Sequence, residues 1–200
     1  MSIAFLLPFL IALALLAVVA RTTVYQKRPH DIDHVILFVR KLDLSDLEML
    51  LDAGKEWALR QSLSPEAFRM AQEDRIRLVR EYLSRVTHNV EVIQRWVGGK
   101  YELIKDKDRD AYIQADFLVV EALQVAIDLR IYALAAHIKL WFWRTLRMYR
   151  WPRLLLPCLT DLRVQGGVNV LAKYRRLTEV AGILSLDYGT VYRDRLLDAL

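Results

Sequence analysis

Apolar positions along this chain follow three patterns, and each predicts a different kind of helix. The first is unbroken: Ile3 to Ala20 (IAFLLPFLIALALLAVVA) carries no polar side chain and ends at Arg21, with Lys27 and Arg28 close behind. As a helix, a run of this length rises about 27 Å, close to the hydrocarbon thickness of a bilayer. Twelve of its eighteen residues are Leu, Ile, Phe or Val. At their usual central values they favour insertion by about 5 kcal/mol, with no charge opposing it. The competing reading is a secretory signal, for which Val18 and Ala20 suit the small positions before a cleavage site. However, Met1 and Ser2 supply no leading cation, and the run exceeds the ~7–15-residue core of a signal. With the cations only on the far side, the expected topology is an uncleaved single-pass anchor with the rest of the chain cytoplasmic.

The second pattern is a coiled-coil seam. Ile76, Val79, Leu83, Val86, Val90, Ile93 and Val97 recur at alternating gaps of three and four, the a/d spacing of a paired helix. Ser64-Pro65-Glu66 marks its start, with an N-cap, a first-position proline and a first-turn acid. Gly98-Gly99 is expected to stop it. Arg69/Glu73, Arg77/Glu81 and Glu81/Arg85 are surface i,i+4 pairs worth a few tenths of a kcal/mol each.

The third pattern runs from Ala111 to Trp143 and is apolar on most of its circumference. Ala115, Leu118, Ala122, Val125, Leu129, Tyr132 and Ala136 form one row; Phe117, Val120, Ile127, Ile131, Leu134 and Ile138 form a second. Gln114, Glu121, Gln124 and Asp128 gather on a narrow polar stripe. Such a helix is expected at the centre of a bundle. Energetics disfavour a second membrane span unless a partner helix neutralises its charges. Glu121, Asp128 and Arg130 together cost about 9 kcal/mol near a bilayer centre, more than the ~3–7 kcal/mol recovered by the apolar residues between Phe117 and Ile138.

The shorter segments complete an all-α expectation. Val35–Leu42 reads as a short helix or a strand. Ser45-Asp46-Leu47-Glu48 has capping-box spacing and predicts a helix reaching about Gln61. Gly166-Gly167 is a turn, Val168–Leu184 a helix, Ser185–Gly189 a break, and Tyr192–Leu200 a final turn or two. The expected organisation is a transmembrane anchor over 1–24, a juxtamembrane connector over 25–44 and a helical bundle over 45–200. Its centre is the antiparallel pairing of helix 65–97 with helix 108–150.

The net charge is +5, from 29 basic and 24 acidic residues. The surplus is local: Lys139 to Arg153 holds five cations and no acid, so the remainder is balanced. This argues against a nucleic-acid binder, which would carry a broader basic field. In the same window Trp141, Phe142, Trp143, Tyr149 and Trp151 interleave with Lys139, Arg144, Arg147, Arg150 and Arg153. Interfacial aromatics plus cations, each worth ~1 kcal/mol near an anionic leaflet, suit a second membrane contact. The alternative is that the aromatics finish the core while arginine stems cover its edge.

Little else points to chemistry. Cys158 is the single cysteine, so no intrachain disulfide exists, in keeping with a reducing compartment. His30-Asp31-Ile32-Asp33-His34 places two imidazoles at i,i+4, a weak metal pattern lacking a third ligand. Glu121 and Asp128 share a face, but the Glu-x-x-His motifs of a di-metal bundle do not occur. There is no phosphate loop, HExxH or G-x-S-x-G. No cofactor is expected. The chain reads as a non-enzymatic, membrane-anchored interaction or scaffold protein, partnered by the membrane and by a protein or a second copy. An exported helical protein and a ligand- or metal-binding bundle enzyme are the alternatives.

Overall fold

Two long helices dominate because the two long apolar patterns face each other. The computed structural model describes residues 32–105, 109–146 and 158–200, with side chains over 35–99, 117–146 and 158–200. The apolar run at 3–20 and the connector up to Asp31 lie outside these residues. The helices are α1 (Ile32–Phe38), α2 (Leu44–Leu50), α3 (Ala53–Ser62), α4 (Pro65–Lys105), α5 (Arg109–Thr145), α6 (Val170–Ser185) and α7 (Thr190–Ala199). Short 3-10 turns occupy Leu159–Leu162 and Leu186–Tyr188. A two-residue-per-strand hairpin, β1 (Val164–Gln165) with β2 (Val168–Asn169), precedes α6. The described chain is mostly helical.

α4 and α5 run antiparallel. Arg130 lies beside Gln94, His137 beside His88 and Arg144 beside Arg80. All seven residues of the α4 seam, from Ile76 to Val97, are buried. Facing them, α5 buries Val119, Ala122, Val125, Ala126, Leu129, Tyr132, Ala133, Ala136 and Leu140. The alanines let the two helices approach closely, and the branched seam fills the grooves between them. α6 closes the other side of this inner face with Leu171, Tyr174, Leu177, Val180 and Ala181, and α7 adds Tyr192 and Leu196. Gly182 makes the α6–α7 contact close, since a methyl group there would meet Leu197 Cδ2 at 3.2 Å.

Several boundaries differ from those the sequence suggests. α4 continues through Gly98-Gly99 to Lys105. Each helical glycine costs about 1 kcal/mol, and the buried Trp96 and Val97 beside the pair hold the helix against that penalty. The segment opened near Ser45 is two helices. Asp43, rather than Ser45, caps α2 by accepting from Ser45 N at 2.9 Å. Asp52 then caps α3 by accepting from Lys55 N at 2.7 Å. An aspartate that bonds a backbone amide competes with helix continuation and starts a new helix instead. At the hairpin, Gly166 and Gly167 both take positive φ, as a tight two-residue turn requires. Asn169 caps α6 by accepting from Leu171 N and Ala172 N.

The small N-terminal helices are fastened to α4 by buried polar groups. The Asn89 side chain is fully buried and clamps the Arg40 backbone: Oδ1 accepts from Arg40 N and Nδ2 donates to Arg40 O, both at 2.8 Å. Its amide also donates to Tyr174 Oη at 2.8 Å, and Tyr174 donates onward to Leu200 O. A second network surrounds the buried Glu56. Its carboxylate accepts from Gln72 Nε2 at 3.1 Å and from Leu159 N at 3.0 Å. Arg75 bonds Gln72 Oε1 and Leu50 O and lies 3.7 Å from Glu56. Burial lowers the Arg75 pKa, with Glu56 opposing that trend. These protein partners make burial of the charges tolerable. Among the described residues no helix is long and apolar enough to cross a membrane.

Placing a charge in the α4 seam should unfold the protein. For Val86→Glu we expect loss of the cooperative melt by circular dichroism. Leu83→Ala should cost about 3 kcal/mol in chemical denaturation. If Val86→Glu instead left a folded monomer, the seam would not be the internal one. Asn89→Ala should cost about 2–3 kcal/mol, because it strands both main-chain groups of Arg40. Burial pushes the Tyr174 pKa up to about 12 from 10.0, with the Asn89 bond opposing. The folded state thus favours the protonated phenol. Stability is complete below pH ~10 and is lost as pH rises towards the folded value. Melting temperature should fall across that interval, and Tyr174→Phe should flatten part of the fall.

Candidate interaction face on the fifth helix

The row on α5 opposite the core determines what the molecule shows to its surroundings. Phe117, Val120, Ile127, Ile131 and Ile138 were expected inside a bundle, and all five are exposed. Phe117 and Ile131 expose 71% and 60% of their surface. Leu134, on the same line, is half-buried. The reason is one of numbers. α4 and α6 cover the inner arc of α5, and no described element reaches the outer one. The line continues through Trp141, 58% exposed, whose ring meets Phe142 edge-on with centroids 5.1 Å apart. From Phe117 to Trp141 the row advances by three, four, three, four, three, four and three residues, with Gln124 as its one polar position. This is the a/d spacing of a paired helix, here without a described partner.

Each flank of the row has its own chemistry. On the α6 side, Glu121 accepts from Arg176 Nε at 2.7 Å and from Nη2 at 3.1 Å. Asp128 accepts from Lys173 Nζ at 2.7 Å. These carboxylates therefore form clasps between α5 and α6 at the solvent edge. Arg176 is held further into its charged form by the Glu121 bonds. On the α4 side, a cleft of about 460 Å³ is lined by Arg40, Ser84, His88, Glu91, Arg130 and His137. His88 Nε2 is 2.8 Å from Phe38 O, and His137 Nδ1 is 2.7 Å from Ala133 O. Each imidazole thus gives one ring nitrogen to a main-chain carbonyl. Arg130 donates to Gln94 Oε1 at 2.9 Å, and burial lowers its pKa while Glu91 opposes the shift. The cleft's charged lining is two arginines, Arg40 and Arg130, against one acid, Glu91.

The aromatic-basic segment divides at Trp143. That ring is buried, with the Lys139 ammonium 5.3 Å from its centroid. Trp143 therefore belongs to the core and is unsuited to an interfacial position. Its neighbours Trp141 and Phe142 point outward. Lys139 also approaches Asp161 at 4.0 Å, and Arg144 borders a small cavity with Glu73, Asp74 and Arg80. Arg147, Arg150, Trp151 and Arg153 lie outside the described residues, as does His30. His34 falls within α1, outside the described side chains. Among the described residues no group of three metal-ligating side chains converges.

No family model, curated protein or solved structure matches this chain. Its site is therefore read from its own geometry. Sequence reasoning identified the outer row but assigned it to the core. The signal that distinguishes the two is Gln124, a polar residue on an otherwise apolar line, in phase with Phe117 and Ile131. The cleft left no local signature, because its residues come from the segment after α1 and from two helices in antiparallel register.

Proposed function

We propose that this chain is a membrane-tethered helical interaction protein, with residues 1–24 as anchor and the bulk of the chain cytoplasmic. The observation that carries the interaction role is the exposed apolar row of α5, from Phe117 to Trp141, on a helix whose inner face is already packed. A line of large apolar side chains of this length that no described element covers marks a recognition surface. The anchor is supported by the apolar run and by the cations that follow it. The segment from Lys139 to Arg153, without Trp143, supplies a second contact with the same leaflet. Trp151 provides an aromatic ring there and Arg144, Arg147, Arg150 and Arg153 provide charge, while Trp141 belongs to the apolar row. A metalloenzyme reading gains nothing from Glu121 and Asp128, since α6 engages both.

The tether has a direct test. The full chain should stay in the membrane pellet after alkaline carbonate extraction, at the mass of the uncleaved polypeptide. A C-terminal tag should be protected from protease added outside intact cells. Release by carbonate, or a mass lacking residues 1–20, would overturn the anchor. Digestion of the tag by external protease would overturn the orientation.

A further inference from the structure

We infer that the outer row of α5 is a homodimer interface, in which two copies pair α5 with α5 in parallel and in register. This deepens the interaction reading above and rests on it. The first support is spacing. The alternation of three and four from Phe117 to Trp141 spans more than three heptads, and only a second helix makes use of such a line. A lipid surface prefers a broader apolar arc. The run at 3–20 is apolar all round and would leave most of its own surface in water on this narrow row.

The second support is area. At their observed exposures, the large apolar residues of the row from Phe117 to Trp141 present about 700 Å². That exceeds the largest patch on a typical monomer and approaches the ~800 Å² per partner of a standard interface. The third is Gln124, which selects the orientation. In the antiparallel register that uses the whole row, Phe117 opposes Trp141 and Gln124 opposes Leu134, leaving a buried amide beside an apolar side chain. In the parallel register Gln124 meets its twin, and the two amides satisfy each other. The flanking acids do not oppose the pairing, because Arg176 and Lys173 neutralise Glu121 and Asp128 within each copy.

The test uses the full chain in mild detergent, with Cys158→Ser removing the native thiol. Light scattering should give twice the chain mass. Phe117→Cys and Ile138→Cys should each form a disulfide-linked dimer with their own twin on mild oxidation. The double variant Ile127→Glu/Ile131→Glu should raise the dissociation constant at least a hundredfold while leaving the helical signal unchanged and lowering the melting temperature only to that of the dilute, dissociated chain. A monomeric mass at micromolar concentration would overturn the dimer. So would cross-linking only between mixed Phe117→Cys and Trp141→Cys copies, which would mean antiparallel pairing. A spin label at Ile131→Cys reached by oxygen but not by a water-soluble relaxant, in a monomeric chain, would assign the face to lipid and overturn the dimer. A monomer that resists carbonate extraction removes the dimer and leaves the tether. A dimer that carbonate releases removes the tether and leaves the dimer.

Discussion

The packing of α4 against α5 is the constraint on which the other elements depend. It places a row of branched residues on one helix against alanine-rich grooves on the other. That pairing, with α1, α2 and α6 against the same helix, takes Ile76, Val79, Leu83, Val86, Val90, Ile93 and Val97 all out of water. α6 then has a ready-made surface, and the Glu121–Arg176 and Asp128–Lys173 clasps set its height along α5. The short helices and their connectors add Val35, Leu42, Leu47 and Leu51 to the core. They are held by polar groups that project from α4, with Asn89 at one level and Gln72 and Arg75 at another.

This division of labour separates what binds from what specifies. Apolar contacts supply most of the favourable free energy but are tolerant of small shifts. Buried amides and charges tolerate none, since each must meet its partners or leave an orphan in a low-dielectric interior. Glu56 illustrates the point, as it joins α3, α4 and the turn at Leu159–Leu162 through bonds to Gln72 and Leu159. Tyr132 does likewise by donating to Leu162 O from the middle of α5.

Much of this architecture is visible in the residue pattern, and the failures are instructive. Period and caps located α4, α5, α6 and the Gly166-Gly167 turn, because local propensity and tertiary packing agree there. They disagree at Gly98-Gly99, where burial next door outweighs two weak helix formers, and at Asp52, where a side-chain cap outweighs an apolar pattern that would have continued. The Phe117 row is a different kind of failure. Periodicity reports that a face is apolar, but whether another element of the chain covers it is a long-range fact. Trp143 follows the same logic: its type suits both an interface and a core, and only the approach of neighbouring elements decides. Asn89 and Glu56 were silent because a polar residue within an amphipathic helix resembles its solvent-facing neighbours until its partners, far away in sequence, are known.

The Asn89 clamp also determines how the molecule would carry load. The chain emerging from α1 is bonded to α4 at Arg40 and Phe38, well inside the long helix rather than at its end. Tension arriving from the N-terminal side therefore meets three hydrogen bonds at Phe38 and Arg40 before it reaches α2 and α3, so those bonds take the load first.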